Sequence, residues 1–334
     1  MSMKKLLIII FSLVFLAPVF SKERIKFATV APEGSTWMNV MKDFSKEVSE
    51  KTNGNVEFKI YGGMVQGDEK DVLRKIRINQ LQSGGFTGVG LGEILPEVRI
   101  LESPFMFKNK EEIDYIYEKF HQRFFDGFEK QGYILLGWAE VGYVYVYTNS
   151  MVRNTEEFRG VKMWMWEGDP LAEATFKAFN INPIPLSLAD VLTSLQTGLI
   201  DRVYTSPLAC ITLQWFTKIK YFVDVPLTNS IGAVLVSAKS FKKLSDSEQQ
   251  IMLELGKKYF RKLTELSRID NKKSTEEILK YGIQRIIVED KSVLKDYEEI
   301  GRKAQQDLIG KLYDQELLSQ IQNALVEFRA GKGK

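Results

Sequence analysis

The sequence predicts an α/β fold in two domains, on three observations. Period-two strands alternate with period-3.6 helices along most of the chain. The 334 residues are enough for two hydrophobic cores. A helical pattern runs from Ser245 towards Gly282, through Ile251, Leu255, Tyr259, Leu263, Leu266 and Ile269. It is roughly three times the ordinary helix length of about 11 or 12 residues, long enough to span two domains. No repeat, low-complexity tract or Pro/Gly/Ser-rich linker separates the domains, so crossing strands and helices are expected to join them.

The N-terminal segment carries Lys4 and Lys5, then the apolar run LLIIIFSLVFLAPVF, then the small residue Ser21. That is the layout of a secretory signal peptide over residues 1–21, cut after Ser21; the competing reading is a retained membrane anchor. RIKFATV (24–30) alternates as a strand. Ser35 caps a helix whose apolar positions Trp37, Val40, Met41, Phe44 and Val48 recur at three and four, ending at Asn53 and Gly54. VEFKIY (56–61) is the next strand, and Asp68 opens the next helix with Val72, Leu73 and Ile76. YILLGW (133–138) and YVYVYTN (143–149) read as two strands. In KMWMW, Trp164 and Trp166 share one face and Met163 and Met165 the other. Asp169 and Pro170 then form a cap and first-turn pair for a helix through Phe179. Ser187 and Asp190 resemble a capping box for a helix closed by Gly198.

Little in this chain points to catalysis. With one cysteine, Cys210, and one histidine, His121, a disulfide, a thiolate metal cluster or a histidine triad is not expected. The pairs Glu111/Glu112, Glu156/Glu157 and Glu276/Glu277 read as solvated surface carboxylates. SGGFTGVGLG (83–92) lacks the lysine and spacing of a phosphate loop and reads as a tight turn or a backbone approaching a cleft. The net charge of +3 drops by two once Lys4 and Lys5 are removed, which gives no electrostatic reason to expect nucleic acid. Neither a metal nor a cofactor is expected.

Six stretches occur in the order of a known family: IKFATVAPEGSTW, YGGMVQGDEKDVL, LPEVRILESPFMF, LLGWAEVGYVYVYTNS, FRGVKMWMWEGDP and NPIPLSLADVLTSLQTGLIDRVYTSP. Over nearly its whole mature length the chain resembles the DctP-type solute receptors of tripartite ATP-independent periplasmic (TRAP) transporters. The resemblance implies a two-lobed, periplasmic-binding-protein-like α/β fold with a central cleft and a long bridging helix. Lobe I would comprise 22–142 plus about 231–270, and lobe II 143–230 plus about 271–334. It also implies a periplasmic receptor, not an enzyme, that closes on a small molecule and hands it to membrane permease subunits.

The chain departs from the resemblance at the ligand. Family members hold a carboxylate with an arginine at the end of a GLKIR stretch, and that position is Trp164 here. A second arginine falls on Val144, and an asparagine falls on Thr205. Truncating one partner of a buried charge pair costs about 2–5 kcal/mol, so acid binding in the usual pose is disfavoured. Burying roughly 300 Å² of ligand hydrocarbon would instead contribute around 7 kcal/mol before the costs of association. The expected cargo is therefore hydrophobic or amphipathic, with Trp164 and Tyr204 facing Val30 and Phe86, and Asp68, Thr87 and Leu188 completing the lining. Arg202 is expected at the surface. Receptors of this kind that lack the arginine are paired with a tetratricopeptide-repeat protein, which the resemblance makes a candidate partner. Two alternatives stay open: a non-transport interaction or sensory protein whose cleft Trp164 plugs, and an organic-acid receptor with an unusual pose.

Overall fold

The computed structural model describes residues 22–158 and 160–331. The expected signal peptide and its cut lie outside these residues. The first half of the chain forms β1 (Glu23–Thr29), α1 (Thr36–Lys51), β2 (Val56–Tyr61), α2 (Glu69–Arg77), β3 (Ser83–Thr87), α3 (Gly88–Ile94), a 3-10 turn (Pro96–Glu102), α4 (Lys110–Lys130) and β4 (Tyr133–Thr148). Then come β5 (Trp164–Trp166), α5 (Pro170–Ala178), β6 (Ile184–Leu186), α6 (Val191–Thr197), β7 (Arg202–Thr205), α7 (Pro207–Thr212) and β8 (Tyr221–Ser237). The last elements are α8 (Ala238–Phe241), α9 (Asp246–Lys280), β9 (Gln284–Ile286), α10 (Lys291–Asp307) and α11 (Gln315–Arg329).

Local chemistry sets these boundaries. Ser35 Oγ accepts from Met38 N at the start of α1, and Gly198, at φ 73°, closes α6. Ser245 and Glu248 form a reciprocal capping box at the start of α9. The Ser187–Asp190 pair behaves differently: the Ser187 hydroxyl donates to Asp190 Oδ2 at 2.7 Å and caps no backbone N–H.

One sheet runs in the order β2-β1-β3-β8-β4-β7, with β9 paired to β8, while β5 and β6 form a separate parallel pair. β1 is parallel to β2 and β3; β8 is antiparallel to β3 and β4. The segments expected as two strands, 133–138 and 143–149, are one strand, β4. It keeps its pairing to β8 through irregularities at Leu135/Gly137, Glu140/Gly142 and Val144/Val146. Gly142, at φ 119°, supplies the backbone that only glycine adopts easily, so it marks a bulge and not a break.

Apolar clusters cover both faces of the sheet. α9 is the bridging element. Met252, Leu255, Phe260 and Leu263 pack with Phe44 of α1, whereas Ile278, near its other end, packs in the cluster of Trp164 and Trp215. α10 joins the cluster of Phe158 and Phe179 through Tyr297. The final segment differs from its expected place in lobe II: Leu308, Leu317, Ile321 and Leu325 pack in the cluster of Leu101, Phe124 and Phe128, the core of the first half. The apolar stripe of α11 is buried against α4 there, and Arg329 of α11 pairs with Glu112 of α4 at 2.8 Å. Glu112 is thus buried, not the solvated carboxylate expected from its neighbour Glu111.

Candidate functional site

The site is built first from the turn between β5 and α5. Trp164 and Trp166 point one way, into the cluster with Leu188, Val203 and Trp215, and Met163 and Met165 point the other. The Trp164 ring, 2 % exposed, stacks on Tyr204 with centroids 5.0 Å apart and meets Trp215 edge-on at 5.1 Å. Its Nε1 donates to Leu186 O on β6 at 3.1 Å, so the indole is held in place by its only polar atom. Trp166 Nε1 donates to Asp68 Oδ2 at 3.0 Å.

These rings form one wall of a cavity of about 170 Å³. Seven of the nine residues singled out from the sequence line it: Val30, Thr87, Val144, Trp164, Leu188, Tyr204 and Thr205. The other two do not. Phe86 is flanked on β3 by the lining residues Gly85 and Thr87; side chains alternate along a strand, so Phe86 turns into the core with Leu73 and Leu91. Asp68 caps α2 by accepting from Glu69 N and grips Trp166, standing behind the lining. Arg202 also departs from expectation. It is 5 % exposed, donates to Ser150 Oγ at 2.6 Å and to Asp201 Oδ1 at 3.3 Å, and lies outside the lining.

The same lining carries charge that sequence reasoning missed, next to the aromatic rings: Asp169 N donates to Trp166 O at 3.1 Å. Arg99, on the 3-10 turn, directs Nη1 to Asp169 Oδ1 at 3.0 Å and Nη2 to Asp169 Oδ2 at 3.1 Å, a fork on a carboxylate. Its Nε lies 2.8 Å from Glu102 Oε2, close enough for an ion pair but without an aligned hydrogen bond. Glu102 Oε1 accepts from Ile231 N of β8 at 2.8 Å. Asp169 Oδ1 also caps α5 by accepting from Leu171 N and Ala172 N. Burial alone would lower the affinity of Arg99 for its proton, but Asp169 and Glu102 outweigh it and hold the guanidinium charged. Burial pushes the Glu102 carboxyl up, and Arg99 opposes that rise. The fourth member, Glu69, accepts from Thr87 N, Thr87 Oγ1 and Gly90 N; burial outweighs these donors and raises it to about 8.

One sequence signal did point here. A Cβ on Gly88 would stand 1.9 Å from Glu102 Oε2, and one on Gly90 would stand 2.6 Å from Glu69 Oε2. Gly88 and Gly90 of SGGFTGVGLG therefore make room for two buried carboxylates. His121, an exposed residue of α4, accepts from Trp138 Nε1 at 3.2 Å and lies outside the lining. Among the described residues no group of three or more His, Cys, Asp or Glu could hold a metal ion, and no helix is long and apolar enough to cross a membrane. The geometry suits enclosure of a small molecule.

Comparison with known proteins agrees on the architecture. Residues 27–309 match the family model DctP, bacterial extracellular solute-binding protein, family 7. A solute-binding protein of Chromohalobacter salexigens is 26 % identical over 257 residues, covering 76 % of each chain. A TRAP periplasmic solute-binding protein of Haemophilus influenzae, solved with bound L-gulonate, superposes with a TM-score of 0.84 at 20 % identity, over 91 % of this chain and 99 % of that one. Another, from Pseudomonas putida F1 with bound D-glucuronate, gives a TM-score of 0.81 at 23 % identity, over 90 % and 96 %. With most of its length matched by the family model, the chain belongs to the DctP family of bacterial extracellular solute-binding proteins: it is a solute receptor of the TRAP type and not an enzyme.

Proposed function

We propose that this receptor carries a compact, uncharged, hydrophobic or amphipathic small molecule across the periplasm to the membrane permease subunits of a TRAP transporter. The observation that carries the reading is the state of Arg99, a lining cation already forked onto Asp169 and faced by Glu102. No surplus positive charge is left in the cavity for a carboxylate, which would lose its hydration with nothing in return. The aromatic wall offers the opposite. Trp164, Trp166, Tyr204 and Trp215 present ring surface whose polar atoms are largely spoken for. Size sharpens the class: a dry cavity of about 150 Å³ holds benzene, so about 170 Å³ suits a single ring with a short substituent and not a long acyl chain. Thr205 lies in the lining to meet one polar group, whereas the hydroxyls of Thr228 and Ser230, also in the lining, already bond Glu102.

A second reading is favoured by the sugar acids in the two solved relatives: a carboxylate could displace Asp169 from Arg99. Periplasmic export rests on the family and on the N-terminal segment, and a tetratricopeptide-repeat partner rests on the resemblance alone. Native mass spectrometry of the protein purified from its own periplasm separates the readings. A co-purifying neutral, ring-bearing species is the expected result; a hexuronate or aldonate in the cleft would establish the second reading, and an empty cleft under all conditions would favour a non-transport role.

A further inference from the structure

Arg99 and Asp169 are 70 residues apart in sequence, and each has a second structural tie. Arg99 belongs to the 3-10 turn that also carries Glu102, and Asp169 caps α5. Their side chains are 4 % and 3 % exposed, and both line the cavity. A guanidinium binds a carboxylate most strongly through two parallel N–H groups. Here the Nη1/Nη2 edge is taken by Asp169, and the Nε side faces Glu102 at 2.8 Å. The two remaining Nη hydrogens point along diverging directions and cannot fork onto one carboxylate.

We propose that Asp169 is a specificity-determining residue: it acts as an internal anion on the forked edge of Arg99 and thereby bars carboxylate ligands from the cleft. The inference rests on the cavity being the ligand site, and deepens that reading by naming the residue that sets the charge of the ligand. The exclusion has two parts. An incoming carboxylate finds the matching edge occupied, and it meets two negative side chains, Asp169 and Glu102, around a single positive one. Removing Asp169 vacates the edge and removes one of the two repelling charges, so Arg99 becomes an ordinary carboxylate receptor. Serine at this position keeps the cap on α5, because a hydroxyl also accepts from the first-turn N–H groups.

The test compares benzoate with benzamide, nearly the same in shape and different in charge, by calorimetric titration of the full mature chain. The wild type is expected to prefer benzamide. In Asp169→Ser the preference shifts towards benzoate by more than tenfold, and Arg99→Met added to Asp169→Ser abolishes the shift. Near-ultraviolet circular dichroism checks that each variant keeps its aromatic packing. Should Asp169→Ser fail to fold, Asp169→Asn, which retains cap and shape, should shift the preference in the same direction by a smaller factor. A folded variant with the wild-type preference overturns the inference and leaves the neutral-ligand reading standing; so does a shift that survives Arg99→Met. A wild type that already prefers benzoate overturns both.

Discussion

The lining of the cleft has an aromatic side and an ionic side, adjoining at the β5–α5 turn and buried by opposite means. On one, Trp164, Trp166, Tyr204 and Trp215 pack ring against ring, with interplanar angles from 27° to 78°. On the other, Arg99, Glu102, Asp169 and Glu69 sit at 1 to 4 % exposure; the first three satisfy one another, and Glu69 is held by Thr87 and Gly90. The aromatic side is stable because each ring leaves water. The ionic side is stable only while every member is present, because a buried charge without its partner is far more costly than a missing ring contact. The difference teaches which side faces the ligand as a surface and which faces it as a closed circuit. A ligand can lean on the rings without disturbing them, but to engage the ions it must break a pair.

The largest effect should come from opening that circuit. Arg99→Met leaves Asp169 and Glu102 buried without their cation, and removal of one partner from a buried pair costs about 3–5 kcal/mol. With two carboxylates stranded, urea unfolding should show a loss at or above the upper end. Restoring most of it by adding Asp169→Asn and Glu102→Gln would confirm that the ions stabilise only as a set; a loss under 1 kcal/mol in the single variant would erase the contrast between the two sides. Next comes Trp164→Ala, in the range of about 3–5 kcal/mol for a large buried ring and nearer its lower end, since the ring already borders a cavity. The same variant should weaken binding of a neutral aromatic probe in fluorescence titrations while leaving discrimination against benzoate intact.

A smaller change joins the two sides. Trp166→Phe keeps a ring but removes the donor to Asp68 Oδ2. Hydrogen bonds to charged groups contribute about 1.5–3 kcal/mol, and the half-buried Asp68 puts this one at the low end. Thermal melts should register it. An unchanged melting temperature would show that the link between β5 and α2 is replaced by water at no cost.

How much of this was legible depended on whether the determining partners are near in sequence. β1 through α2 could be placed because alternation, caps and helix stops are all local, as Ser35, Gly54 and Asp68 illustrate. β8 gave no clean signal. Its 17 residues contain Pro226 and Gly232, and from Ile231 to Val236 both faces are buried, so the period-two pattern vanishes. The placement of α11 was invisible for a similar reason: its stripe shows that one face is buried but not against which core. In the cleft, the aromatic side was readable from Trp164 and Tyr204, because large rings in a strand need cover whatever covers them. The ionic side was not, since Asp169 looks like a helix cap, which it is, and nothing local tells that its outer oxygens meet an arginine 70 residues earlier. Phe86 was assigned to the cleft because adjacent residues were treated as one patch, where the pleat separates them.

The finest test of the contrast is the pH dependence of Glu69. Burial raises this carboxyl from 4.5 to about 8, with the hydrogen bonds from Thr87 and Gly90 pulling the other way. The folded chain therefore keeps a proton that the unfolded chain releases between those two values. Its contribution to stability is fully present below pH 4.5, declines as pH rises through the window, and is gone above about 8. Melting temperature should accordingly fall with pH across this range, and Glu69→Gln, which cannot titrate, should flatten the slope even if it lowers stability throughout. An identical slope in the variant would mean that the three donors win and Glu69 is charged at neutral pH. The ionic side would then carry three carboxylates against one guanidinium, and the cleft would repel acids through its net field as well as through the occupied edge of Arg99.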